Sequence, residues 1–202
     1  MASSVAASRS LSGEKPQRII EAMRRSVASR GAAAATFDHV AREAGVSRGL
    51  LHYYFGTKEQ LLVETVRREC EVRMEMLERQ LTNARTADDF IDLMARNLQK
   101  TVSAEPDFLT LVFELFTLSR RNREIALEYS ELLRRTREQV GVLLANAQSR
   151  GVLRLHAEPE AVAEILFSLA DGFALRMLSE PDRDFAATMQ AGITCVRALL
   201  AD

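Results

Sequence analysis

The chain has no tryptophan and only two cysteines, Cys70 and Cys195, far apart in the sequence. Two isolated thiols make no disulfide framework, so an apolar core must hold the fold, and a reducing cytoplasm is the expected setting. Neither thiol has a neighbouring cysteine, so both read as packed or surface thiols rather than redox sensors. Four prolines and nine glycines in 202 residues leave little material for turns, and hence for β-structure with its frequent reversals. No apolar run approaches the roughly 20 residues that a bilayer-spanning helix needs, and the N-terminus lacks the apolar segment of a secretion signal. A cytoplasmic protein with no membrane contact is expected.

Material for catalysis is short as well. His39, His52 and His156 are scattered, without paired cysteines or acidic residues at ligand spacing. There is no Gly-rich phosphate loop after a strand and no nucleophile motif. No metal, no cofactor and no enzymatic activity are therefore expected.

Hydrophobic residues make up 47% of the chain, enough to bury a substantial core. The net charge of −1 conceals an asymmetry. Residues 9–68 carry eleven Lys and Arg against six Asp and Glu, whereas the remainder carries sixteen against twenty-two. A basic N-terminal segment on an acidic body is the layout expected when one end meets nucleic acid.

Residues 36–62, TFDHVAREAGVSRGLLHYYFGTKEQLL, organise the rest. Thr36 is placed as an N-cap with Asp38 in the first turn, where the helix dipole favours an anion. Phe37, Val40, Ala41 and Ala44 recur at helical spacing, and Gly45 can end the helix in the left-handed conformation. Ser47 then caps a second helix over Arg48–Phe55 after only Val46. So short a connection turns the second helix sharply across the first, as in a helix-turn-helix. Leu51 and Phe55 face inward, leaving Arg48, Gly49, His52, Tyr53 and Tyr54 at the tip and outward faces. Arg and Tyr donate to phosphate oxygens, and Gly admits close approach to a duplex. Thr57 and Gln60 have capping-box spacing, which puts Lys58 at a helix N-terminus suited to phosphate.

The segment AREAGVSRGLLHYYFGTKEQLL resembles the DNA-binding signature of the TetR/AcrR-type bacterial transcriptional regulators, and the match covers residues 17–62. Two positions differ from the family's common residues: Leu50, where Thr is frequent, and His52, where Tyr is frequent. The resemblance implies an all-α fold of about nine helices. Residues 1–13 would form a disordered arm, 14–62 a three-helix DNA-binding domain, and 63–202 a helical effector-binding and dimerisation domain. Thr36, Ser47, Tyr53, Tyr54 and Lys58 are assigned mainly to phosphate, and Arg48 and Gly49 to base edges. His52 is a further base-edge candidate, and Arg9 and Lys15 could serve as arm contacts.

Elsewhere the pattern is helical throughout. Pro16, then Ile19, Ile20, Met23 and Val27, mark a first helix ending at Gly31. A long helix runs from Lys58 to about Leu81, with Val72 and Met76 among its apolar contacts. Thr86 and Asp89 form a capping box. Residues 108–118, FLTLVFELFTL, are apolar nearly all round, the mark of a helix buried on every side, with Glu114 either salt-bridged or facing a cavity. A long amphipathic helix, with Tyr129 and Leu133 on its apolar face, closes at Gly151, with Val152 and Leu153 available for a C-terminal cap. An effector pocket is expected among Phe90, Met94, Leu98, Phe108, Glu114, Phe116 and Phe167. Two last helices, after Pro159 and Pro181, have surplus apolar surface. Val162, Ile165, Leu169 and Phe173 on one, with Phe185, Met189, Ile193 and Val196 on the other, suggest a two-fold four-helix seam. The functional expectation is a homodimeric, ligand-responsive repressor of a pseudo-palindromic operator in double-stranded DNA, released by a small hydrophobic effector. A DNA-binding protein of the same fold without an effector, or an activator, remains open on the sequence.

Overall fold

Apolar residues at helical spacing and few breakers give helices, and the computed structural model contains nine among its described residues, Leu11 and Gly13–Ala201. The helices are α1 Glu14–Ala34, α2 Phe37–Ala44, α3 Arg48–Phe55, α4 Lys58–Leu81, α5 Ala87–Ala104, α6 Pro106–Ser119, α7 Arg123–Ser149, α8 Pro159–Ser179 and α9 Ala186–Leu200. No strand occurs among the described residues. Most of the expected N-terminal arm, Arg9 included, lies outside them. Among the described residues no helix is long and apolar enough to cross a membrane.

The described residues divide into two compact units. The first runs through Arg68 and also takes in Thr110–Tyr129; the second comprises Glu69–Leu109 and everything from Ser130 onward. Each unit thus joins segments distant in sequence, unlike a simple split at residue 62.

In the first unit α1 buries Ile19, Ile20, Met23 and Val27 along one stripe, and α2 packs against it. Helical hydrogen bonding does not stop at Gly31, as the sequence suggested. It resumes to Ala34 across a break where Gly31 has φ 75° and ψ 160°. The start of α4 buries Leu61, Leu62, Val63 and Val66, and Leu111, Leu115 and Ile125 are buried as well. Arg67 binds Glu64 at 2.6 Å and Glu128 at 2.7 Å, tying α4 to the start of α7.

In the second unit Leu81, Phe90, Ile91, Val140, Leu144, Ala147, Val162, Leu166 and Leu200 form one core. Thr86 and Asp89 make the full reciprocal capping box at the start of α5. Behind Gly151 (φ 72°), Val152 donates its N–H to the Ala147 carbonyl at 3.0 Å and Leu153 is buried, the hydrophobic C-terminal cap its position implied. Arg197 reaches Asp88 at 2.8 Å, joining α9 to α5.

Several expected contacts point elsewhere. Val72, Met76 and Leu133 are exposed, because periodicity marks a stripe but not which part of a long helix another element covers. In α6 only Leu109, Leu111 and Leu115 are buried, while Phe116 stays 48% exposed, so this helix is not enclosed on every side. Cys70 is packed, and burial pushes its thiol up to about 12, which keeps it protonated and unreactive.

Leu144→Ala removes a fully buried side chain and should destabilise the protein by about 2–5 kcal/mol. Urea unfolding should show a lower midpoint with unchanged slope; a midpoint unmoved would reject the core assignment. A second expectation concerns acid. Glu131 on α7 accepts hydrogen bonds from Arg134 at 2.7 Å and Arg135 at 2.6 Å, and these hold its carboxyl down at about 2. As pH falls, the unfolded chain takes up this proton first, so the group's stabilisation is present above about pH 4.5 and lost between there and about pH 2. Glu131→Gln should flatten the acid limb of thermal stability over that window; superimposable acid limbs would contradict it.

Candidate nucleic-acid interface and ligand cavity

The turn between α2 and α3 sets the interface. Gly45 adopts φ 65° and ψ 39°, and Val46 returns its N–H to the Ala41 carbonyl at 3.0 Å. Arg18, from α1, donates Nη2 to the Ala44 carbonyl at 2.5 Å, placing a cation at the negative end of α2. A Cβ at position 45 would come within 2.9 Å of that guanidinium. The left-handed conformation favours glycine here, and a Cβ would also crowd the Arg18 guanidinium.

Leu51 and Phe55 bury completely and anchor α3 from beneath. Arg48, Gly49, His52 and Tyr53 are exposed, Tyr53 by 53%, and Tyr54 is half-buried. The Tyr53 and Tyr54 rings meet edge-on at 5.1 Å, and Tyr54 lies 6.1 Å from the buried Phe55. His52 donates Nδ1 to the Gly56 carbonyl at 2.9 Å and sets its ring at 4.8 Å on Phe37, leaving Nε2 as its second, outer polar atom. Arg48 pairs with Asp38 at 3.1 Å, both well exposed. Such a surface pair is worth roughly 0–1 kcal/mol, so the guanidinium is held in place yet easily transferred.

Gly49 has no internal reason to be glycine. A Cβ there would meet only Ser47 Oγ, at 3.9 Å, in ordinary contact. Thr36 caps α2 by accepting the His39 N–H at 3.3 Å. Ser47 makes no side-chain cap; its carbonyl accepts from Leu50 at 3.0 Å instead. Of the box at α4, the Gln60 N–H to Thr57 Oγ1 bond forms at 3.1 Å. Lys58 departs from expectation. Its Nζ donates to the Ala32 carbonyl at 2.9 Å, half-buried, where the open backbone end of α1 draws the cation inward. Arg18 and the Asp38 partnership escaped the sequence reading because they join residues 26 and 10 apart, with no periodic signal between.

The expected effector residues do not assemble in one place. Met94 and Leu98 line an apolar cavity of about 70 Å³ with Leu166, Leu169, Phe173 and Val196, among α5, α8 and α9. Phe90 is core, and Phe167 packs on that core. Phe108 carries the Arg73 guanidinium 4.0 Å above its ring. Glu114 and Phe116 belong to the first unit; Glu114 forms no ion pair among the described residues, and Phe116 tilts against Tyr129 at 6.3 Å. Of the expected dimer residues, Val162 is 1% and Phe185 8% exposed, their surface used up within the subunit. Leu169, Phe173, Met189, Ile193 and Val196 line the cavity, and only Ile165, 47% exposed, is openly displayed. No group of His, Cys, Asp and Glu among the described residues is arranged to hold a metal.

The described residues are thus all-helical, with a helix-turn-helix at α2 and α3. Residues 19–65 match the N-terminal domain of bacterial regulatory proteins of the tetR family, and residues 89–201 match the C-terminal domain of BetI-type transcriptional repressors. The chain belongs to the TetR family of transcriptional regulators. It is 47% identical over 49 residues to the regulator BetI of Agrobacterium fabrum, a match spanning 24% of each chain. It is 24% identical over 184 residues to the regulator PksA of Bacillus subtilis, covering 84% of this chain and 82% of that one. Its fold is similar to a transcriptional regulator of Saccharomonospora viridis solved in complex with choline, at TM-score 0.71 and 22% identity over 90% of this chain and 94% of the other.

If Lys58 serves the fold, Lys58→Met should cost about 1 kcal/mol in urea unfolding without any DNA present, by loss of the bond to the Ala32 carbonyl. A lysine reserved for phosphate would leave that stability unchanged.

Proposed function

We propose that the protein is a homodimeric repressor that places α3 of each protomer in successive major grooves of a pseudo-palindromic operator and is released by a small, mostly apolar effector. The observation that carries the DNA reading is Gly49. It sits on the exposed face of α3 beside Arg48 and Tyr53, where nothing in the protein itself demands glycine. Close backbone approach to a duplex is a physical reason for it. In this reading Arg48 and Gly49 address base edges, with His52 offering Nε2. Tyr53, Tyr54, Thr36 and Ser47 position the phosphates, and Lys58 contributes through the α1–α4 junction. Half-sites would lie about one helical turn apart, roughly 34–36 Å or a multiple.

Dimerisation is supported by the outer face of α8 and α9. Ile165, Ser168, Gly172 and Leu175 form one exposed stripe at helical spacing, and Ala191 and Ala198 add small exposed residues on α9. Small residues let helices of two copies approach closely, and a two-fold axis makes such a face self-complementary. Effector control is supported by the cavity in the second unit and by the choline complex of the similar Saccharomonospora viridis protein. Helices α4, α6 and α7 each contribute residues to both units, giving three covalent routes for a change to travel. A ligand shifts DNA affinity only as far as it prefers one state of the body over another.

Gel-shift titrations against operator and random DNA test this. Tyr54→Ala should weaken both alike, whereas Arg48→Ala should also narrow the gap between them. Gly49→Ala should leave stability unchanged or raise it by up to about 0.5 kcal/mol, yet weaken operator binding at least tenfold. Operator affinity equal to the parent's in all three variants would reject the α3 assignment.

A further inference from the structure

Asp38 stands in the first turn of α2, and Arg48, 10 positions later, opens α3. Arg48 donates Nη1 to both carboxylate oxygens, at 3.1 Å to Oδ2 and 3.3 Å to Oδ1. Neither Nε nor Nη2 makes a hydrogen bond among the described residues. The carboxylate thus holds one corner of a planar fork and leaves the other edge, Nε and Nη2, with its donors free.

This pair contributes little to the fold. The two side chains are 59% and 61% exposed, and such a pair in water is worth almost nothing. The Gly45 turn and the buried Leu51 and Phe55 already hold α3. The attraction grows where water is excluded, as beneath a docked duplex. A carboxylate there also faces phosphates of its own sign, and a gain in discrimination is what offsets that cost. An arginine free to swing meets any phosphate within reach. A pinned one presents two donors in one plane. In the major groove guanine sets two acceptors, O6 and N7, side by side, whereas adenine replaces one of them with a donor.

We propose that Asp38 is a positioning residue for base recognition: it keeps Nη1 while Nε and Nη2 of Arg48 address O6 and N7 of one guanine in each half-site. The inference rests on the reading that α3 enters the major groove, and adds the base it selects and the group that aims the selection.

The test compares what the full chain and its Asp38→Asn and Arg48→Ala variants retain from a duplex pool of random sequence. The parent half-site should contain one guanine whose preference Arg48→Ala abolishes. Asp38→Asn should lower guanine preference at that same position about fivefold and leave the other positions as in the parent. It should bind a fixed duplex of unrelated sequence at least as tightly as the parent, because a negative charge has left the interface. An Asp38→Asn half-site identical to the parent's would overturn the proposal while leaving α3 as the reading helix. A loss spread over every position and shared by the unrelated duplex would give Asp38 a purely structural role and overturn it equally. So would a base other than guanine at the position Arg48 governs. A half-site wholly unchanged by Arg48→Ala would remove both this role and the assignment of Arg48 to a base edge.

Discussion

The left-handed turn at Gly45 is the constraint on which the rest depends. With φ at 65° at Gly45, α2 ends and α3 begins after only Val46 and Ser47. Arg18 fixes the turn from a third helix by bonding the Ala44 carbonyl, so α1 is a brace as well as a packing surface. Leu51 and Phe55 then take the only inward positions on a helix of eight residues. Arg48, Gly49, His52 and Tyr53 remain on the outside.

That outer face is held lightly. The Arg48–Asp38 pair is exposed on both sides, and the His52 ring is steered by a carbonyl of its own helix end. Such contacts place the side chains without tying up much free energy, so exchange for phosphate or base partners is inexpensive. Two other cations, Arg18 and Lys58, cap the carbonyl ends of α2 and α1 and so bond within the fold. The second unit makes a similar division of labour. The α5-facing sides of α8 and α9 line a groove, and the opposite faces are open and rich in small side chains.

Much of this was legible in the residues. Gly45, the bounds of α2, α3 and α4, and the capping box at Thr86 follow from local chemistry acting over three or four residues, and each stands where the spacing put it. Side-chain direction on long helices was not legible. Val162 and Ile165 are three apart and equally apolar, yet one is core and the other open, because only the neighbouring helices decide which face is covered. Lys58 misled for a related reason. A lysine at a helix N-terminus suits phosphate in isolation, but here the carbonyl end of α1 lies within reach. The effector residues scattered because aromatic content on α6 signals apolar surface, not a shared cavity, and α6 contributes to both units.

The central claim is that α3 reads DNA twice, once from each of two symmetry-related copies. Sequencing the duplexes that the purified protein retains from a random pool measures this most directly. The account calls for inverted repeats of one half-site, with centres about 10 base pairs or a multiple apart. Enrichment of a lone half-site, or of no sequence at all, would contradict it.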